Sequence, residues 1–338
     1  MRILLLAGGD SSEKDVSFRS GAAIFDSLKR LGHEVIAVNP SGGKSLIGAN
    51  GQYVAALPAS GGAVTASGSE TKELSTTLWG TSFRDVDLVF LGLHGGSGEN
   101  GTIQSLLDLC GVKYTGSGMA ASAIAMDKSI TKRLFVSDSI KTPNWELYRW
   151  RDETDNQRFA ADISAKFSLP VIVKPNNGGS TVGLTKVKDR SQLVPAIELC
   201  VKESKEILVE EFIAGRELTV AVIDGEPLPL VEIVPKNELY DYEAKYTKGM
   251  TEYIAPAKVE ASLASEIQQA AVKAFNVIGC SGLARIDFIL APDGGFYCLE
   301  VNTLPGMTNL SLAPMAAKVE GMSFDDLVTK IAASALKK

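Results

Sequence analysis

Histidine is almost missing from this chain. His33 and His94 are the only two in 338 residues, so a histidine-rich metal centre is excluded. Cysteine is scarce as well. Cys110, Cys200, Cys280 and Cys298 form no C-x-x-C pair, and each lies among apolar neighbours. That argues against a zinc site or a disulfide framework, and for buried thiols in a reducing cytoplasm. The first apolar run, "ILLLA", is far too short for a membrane span, and no cleavage-site pattern follows it. Charge of one sign is not in large excess: the net value is -6, which supplies no global attraction to nucleic acid or an anionic membrane. No internal repeat is visible. Two nucleotide motifs are missing too. "GGKS" at 42–45 resembles the end of a Walker A loop, but Val38 stands where that loop needs glycine. "AGGDSSE" is not G-x-G-x-x-G, so a nicotinamide cofactor is a poor fit.

What remains is an ordinary globular composition, 45% hydrophobic and 22% charged, in a chain long enough for two or three domains. "RILLLAGG", then a helical period over 15–32 ending at Gly32, then "HEVIAV" predict a β-α-β opening on a parallel sheet. Residues 41–82 are rich in Gly, Ala, Ser and Thr and read as an excursion with a short hairpin. "VDLVFLGL" returns as a buried strand, 101–111 as a helix and 112–117 as a strand. One helix is predicted over 121–139, a glycine-tipped hairpin over 169–187, a helix over 191–204 and a strand over 206–213. Strands at 216–223, 228–234, 282–290 and 295–301 then dominate, interrupted by a helix from about Ser262 to Ile278.

The most unusual chemistry lies in "LARIDFILAPDGGFYCLEVN". Asp293-Gly294 predicts a two-residue hairpin turn. That register sets Asp287 opposite Glu300 and Arg285 opposite Asn302, all on one face. Opposed carboxylates repel, and three oxygen donors suit a hard cation such as Mg²⁺. The residues alone leave a second reading open: a solvated polar face in which Arg285 neutralises one acid. In "VIVKPNNGGSTVG", Lys174 ends a strand ahead of Gly178-Gly179-Ser180-Thr181. This loop can aim backbone N–H groups at an anion, or can simply be a hairpin tip. Glu13 and the "HGGSGENG" segment, with His94 and Glu99, follow strands where open α/β sheets gather ligand groups. Glu210 and Glu217 flank an apolar Phe212-Ile213 segment, and "YDYEAKY" at 240–246 reads as a lid or a surface loop.

Taken in order, "AGGDSSEKDVS", "HGGSGENGTIQ", "YTGSG", "MDK", "VIVKPNNGGSTVG", "YDYEAKY", "ARIDF" and "LEVNTLPGMTNLS" resemble the D-alanine–D-alanine ligases of the ATP-grasp superfamily. The resemblance covers most of the chain outside the excursion after Ser41. It implies an α/β fold, with α+β character in the later domains. Residues 1–118 would form a Rossmann-like substrate-binding domain, 119–208 the central ATP-grasp unit with the phosphate loop, and 209–338 the C-terminal unit with the metal site. It also implies ligation of two D-alanines for peptidoglycan precursor synthesis; the alternative is a relative with another acceptor, such as D-serine, D-lactate or a different amino acid. The protein would be a cytoplasmic homodimer.

The same resemblance assigns roles. Lys128 and Lys174 would bind ATP phosphates beneath the loop carrying Gly179, Ser180 and Thr181. Glu210 would meet the adenine amino group, the backbone of Glu211 and Ile213 the ring edge, Phe212 the base and Glu217 the ribose. Asp287, Glu300 and Asn302 would hold two Mg²⁺ ions, with Mn²⁺ as a substitute. Glu13 would hold the first ammonium, linked to Ser180 and Tyr246. His94, Lys245, Ser311 and Leu312 would line the substrates. Arg285 and the Gly306 N–H would receive an oxyanion. The chain departs from the family pattern at Asn100, Ser105, Asn176-Asn177 and Leu310, none of which is a metal ligand or a phosphate lysine.

Overall fold

The computed structural model describes residues 1–54, 85–151, 155–179, 181–236 and 249–337. Three sheets organise them. The first has the order Lys44–Ser45, Glu34–Asn39, Arg2–Leu6, Leu88–Leu91, with the three longer strands parallel. From Ile3 to Leu6 this strand is uniformly apolar and buried, because both faces are covered. Ile3 and Leu5 enter one core, Leu4 and Leu6 another. Helix Lys14–Arg30 packs on the first of these faces, together with helices Leu312–Val319 and Phe324–Leu336 from the far end of the chain. Helix Thr102–Leu109 covers the other, where Leu304 joins Ile103 and Leu107.

The second sheet is antiparallel, in the order Trp145–Arg149, Glu206–Glu211, Val171–Pro175, Thr185–Val187. Helices Asn156–Lys166 and Leu193–Val201 supply its core. The third sheet is antiparallel throughout, in the order Thr251–Ile254, Val231–Pro235, Arg216–Ile223, Leu283–Leu290, Phe296–Asn302, with Glu226–Pro227 beside Arg216–Ile223. Alternation decides its faces. Leu218, Val220, Val222, Ala284, Ile286 and Phe288 pack beneath helix Ala261–Ile278. Thr219, Arg285 and Asp287 point the other way.

Three sequence expectations need correction. No strand forms over 112–117: Tyr114 makes an isolated bridge to Val89 and nothing longer. The helix expected over 121–139 is two, Met119–Met126 and Lys128–Ser137. Asp127 divides them, because its Oδ1 accepts the Ile130 N–H (3.0 Å), caps the second helix and holds its own backbone extended. The turn near Asp293 is one residue longer than expected. Ala291 pairs with Gly295 (N–H to O, 2.7 Å), and Phe288 faces Cys298. An extra residue in the partner strand, Leu299, forms a bulge beyond Phe288. The two irregularities cancel, so Asp287 faces Glu300 and Arg285 faces Asn302 as expected. Part of the 41–82 excursion is described. Lys44–Ser45 pairs with Val38–Asn39 and Ile47 bridges Tyr53; residues 55–84 lie outside the described set.

Candidate functional site

Two clefts meet between the sheets. One is lined by Lys128, Lys174, Gly179, Thr181 and Glu210, by Glu211, Phe212, Ile213 and Glu217, and by Arg285, Asp287 and Glu300. The other is lined by Glu13, His94 and Glu99, by Arg285, Glu300 and Asn302, and by Gly306, Ser311 and Leu312. Lys128, Gly178, Gly179, Arg285 and Glu300 border both. Every expected site residue within the described set therefore lines one cleft or the other. Ser180, Lys245 and Tyr246 lie outside the described residues.

Helix capping positions the first lysine. Asp127 Oδ1 also accepts from Asn176 Nδ2 (3.0 Å), and Asn176 Oδ1 takes the Ser129 N–H (2.9 Å). This fixes the start of the Lys128–Ser137 helix to the end of strand Val171–Pro175. Lys128 then donates to Gly178 O (2.6 Å) and lies 3.6 Å from Glu300. Burial pulls its ammonium below the usual lysine range, against the pull of Glu300. The loop that follows runs close to Glu13. A Cβ on Gly179 would come 3.0 Å from Glu13 Oε2, so a larger residue there would make that carboxylate shift. Thr181, two residues on, adopts φ 58°, a left-handed conformation that a β-branched residue seldom takes.

The apolar side of the first cleft carries Phe212, with Lys186 Nζ 3.3 Å from its ring centroid. Glu210 is fully buried between two lysines, Lys174 at 2.5 Å and Lys132 at 3.0 Å. Burial alone would raise the Glu210 carboxyl, but the two ammonium groups outweigh it and hold the pKa below its ordinary value. Lys132 escaped sequence reasoning. The available signal was its spacing, one helical turn after Lys128.

On the polar face of the third sheet, Asp287 accepts from Arg285 at 2.9 and 2.8 Å and from Thr219 Oγ1 at 2.6 Å. Glu300 faces Asp287 across the strands, and the Glu300 side chain is one-third open to the clefts. Asn302 Oδ1 is buried with no hydrogen-bond partner among the described residues. A buried amide oxygen without a donor is costly unless something outside the chain meets it. Two carboxylates and this oxygen make a donor set for a hard cation. Among the described residues no group of three or more His, Cys, Asp or Glu could hold a metal; the third side-chain oxygen here is the Asn302 amide.

In the second cleft the N-terminal segment grips the 304–307 loop. Glu99 accepts the Gly95 N–H (2.7 Å) and the Leu304 N–H (3.3 Å). His94 Nδ1 donates to Leu304 O (3.0 Å), which makes Nε2 the acceptor for Ser20 Oγ (2.9 Å). Ser20 Oγ in turn accepts the Met307 N–H (3.2 Å). Gly306 sits inside this grip, and a Cβ there would come 2.9 Å from Ser311 Oγ. Sequence reasoning named Glu99 and His94 but found neither Ser20 nor the shared loop. Burial lowers the His94 pKa, and burial next to Glu13 raises that of Glu99 to about 7.

These two shifts make a prediction. Glu99 releases its proton near 4.5 when unfolded and near 7 when folded, so its contribution to stability falls as pH rises through that window. His94 has a lowered pKa, so its contribution rises as pH approaches 6.5 from below. The two slopes oppose. Urea denaturation from pH 5.5 to 7.5 should show a shallow dependence in the wild type. Glu99→Gln should show a steeper rise, by up to about 1.4 kcal/mol per pH unit. It should also lose about 1–3 kcal/mol overall, since its amide NH₂ must face one of two N–H donors. Parallel curves for the two proteins would remove this account of the pair.

Comparison with known proteins agrees along the whole chain. The profile described as "D-ala D-ala ligase N-terminus" matches residues 2–117, and "D-ala D-ala ligase C-terminus" matches 134–333. The D-alanine–D-alanine ligase of Syntrophotalea carbinolica is 41% identical over 99% of this chain and 96% of its own. That of Halalkalibacterium halodurans is 40% identical over the full length of both. Among solved structures, the Bacillus anthracis ligase complexed with ATP superposes with a TM-score of 0.77 at 30% identity, covering 100% of this chain and 97% of that one. The D-Ala:D-Ser ligase of Enterococcus faecalis gives 0.78 at 29% identity, covering 99% of each. The fold is that of the ATP-grasp enzymes, and the chain belongs to the D-alanine–D-alanine ligase family.

Proposed function

We propose that the protein joins two D-alanine molecules at the expense of ATP, through an acyl phosphate, to supply peptidoglycan precursors. The observation that carries this reading is the meeting of the two clefts at Lys128, Gly178, Gly179, Arg285 and Glu300. A nucleotide in the first cleft would hold its terminal phosphate where a carboxylate in the second can attack it.

The chemistry follows from the poor reactivity of a carboxylate. An oxygen of the first D-alanine attacks the γ-phosphorus, ADP leaves, and the acyl phosphate that forms is a good electrophile. Lys128 and Lys174 offset charge on the transferring group. Glu13 holds the first ammonium, with Ser180 and Tyr246 in support. The second D-alanine, its carboxylate on Ser311 and the Leu312 N–H, attacks the acyl carbon with its amine, and phosphate leaves. Lys245 would serve that phosphate, and His94 lines the cleft while holding Leu304. Arg285 and the Gly306 N–H stabilise the oxyanion. Glu210, Glu211, Phe212, Ile213 and Glu217 hold the adenosine, and the loop of Gly179 and Thr181 excludes water from the acyl phosphate. Asp287, Glu300 and Asn302 would hold two Mg²⁺ ions, or Mn²⁺ in their place, which neutralise phosphate charge when bound. The reading includes the three-unit division at 118 and 208 and a cytoplasmic homodimer. Among the described residues no helix is long and apolar enough to cross a membrane.

ADP release measured with a panel of D- and L-amino acids, with D-lactate added as an acceptor, tests this function. Release should require both ATP and D-alanine, and mass spectrometry should find the D-alanine dipeptide. Release with L-alanine but not D-alanine would overturn the reading. A mixed product with D-serine or D-lactate in place of the dipeptide would move it to another acceptor.

A further inference from the structure

Lys132 takes no part in the chemistry above, yet it is the most completely buried cation among the described residues, at 0% exposure. Its Nζ donates to Thr142 Oγ1 (2.6 Å) and lies 3.0 Å from Glu210 Oε2. The other oxygen of Glu210 accepts from Lys174 (2.5 Å). Glu210 and Lys174 line the first cleft, and Lys132 does not. Two ammonium groups thus share one buried carboxylate, leaving a surplus positive charge. Burying an ammonium group is expensive, and one lysine would already neutralise Glu210. The second cation needs a physical reason.

Consider the site without Lys132. Glu210 and Lys174 would form a closed, neutral pair. A phosphate could recruit Lys174 only by leaving the Glu210 carboxylate buried and unpaired. With Lys132 behind it, Glu210 keeps a counterion when Lys174 turns towards the cleft. Lys132 also keeps Glu210 ionised, and an ionised carboxylate only accepts hydrogen bonds. Such a group favours a purine bearing an amino group at position 6 and disfavours one bearing a carbonyl there, since two acceptors would then face each other.

We infer that Lys132 is a positioning residue: the permanent counterion of Glu210, which releases Lys174 to the nucleotide phosphates and sets the preference for a 6-amino over a 6-oxo purine. This inference rests on the nucleotide reading of the first cleft. Thr142 supports it by fixing the direction of Nζ.

The test uses the full-length enzyme with Lys132→Met, Lys132→Arg and Thr142→Val. Steady-state rates are measured with ATP and GTP, alongside direct binding of ATP and a melting curve. Lys132→Met should raise KM for ATP by about tenfold or more, and lower the ratio of kcat/KM for ATP to that for GTP by about tenfold. KM for D-alanine should stay within about twofold. Lys132→Arg should recover most of the loss, and Thr142→Val should show a smaller shift in the same direction. Should Lys132→Met fail to fold, Thr142→Val decides alone. Wild-type KM for ATP and wild-type purine preference in the folded variants would overturn the inference, as would equal losses towards ATP, GTP and D-alanine. A wild-type enzyme that binds no ATP would instead overturn the nucleotide reading itself.

Discussion

Glu300→Gln is expected to lower kcat by about 10³-fold while the protein stays folded. Glutamine has the same shape, and the Glu300 side chain is one-third open to the clefts, so little packing is lost. What disappears is a negative charge beside Asp287, in a position bordering both clefts. A neutral amide holds a hard divalent cation poorly. The γ-phosphate would then lose the neutralisation that phosphoryl transfer needs. ADP release assayed across a range of Mg²⁺ concentrations reads this directly, and added Mg²⁺ should recover part of the rate. Binding of ATP should weaken less than turnover falls. If Glu300→Gln turned over at the wild-type rate, Glu300 would be no more than a counterion for Lys128, 3.6 Å away, and the polar face would need no metal.

The parts of the fold that were legible share one property: their signals are local. Alternation along Leu283–Leu290 separates Ile286 and Phe288 from Arg285 and Asp287 without reference to any other segment. Helix Ala261–Ile278 shows its period and ends at Gly279 in the left-handed region. Some misses were local too. Asp127 is a capping residue, and Ser323 with Asp326 forms a capping box ahead of the last helix, which the sequence reading passed over. The hairpin register came out right for an incomplete reason. A longer turn and a bulge at Leu299 offset each other, and neither can be seen in the run "ILAPDGGFYCLEV" alone.

The site divides the same way. Motif order named the residues, but not what they touch. Leu304 lies 205 positions from Glu99 and 210 from His94, and no spacing rule joins them. Glu210 reads as an acid at a strand end; its two lysines come from a neighbouring strand and from a helix. Long-range packing, not propensity, decides these contacts, and so decides which ionisable groups are buried and paired.

Arg285→Met is expected to separate the two jobs that this residue holds. Its guanidinium grips Asp287 through both oxygens, at 2.9 and 2.8 Å, where Asp287 is only 5% exposed. Removing it leaves Thr219 Oγ1 as the side-chain donor to that carboxylate among the described residues. A buried charge stripped of its partner costs about 3–5 kcal/mol, less whatever protonation recovers. The same guanidinium borders both clefts, where an oxyanion would form, and losing such a donor costs about 10²–10³-fold in kcat. A second substitution tells these effects apart. Arg285→Met combined with Asp287→Asn removes the unpaired charge, so urea denaturation should recover most of the lost stability. Turnover should not recover, because neither the proposed oxyanion donor nor the carboxylate proposed to hold the metal returns. Recovery of both would make Arg285 a counterion and nothing more. Recovery of neither would mean that the Arg285 stem packs the floor of the cleft in a way that its charge does not explain.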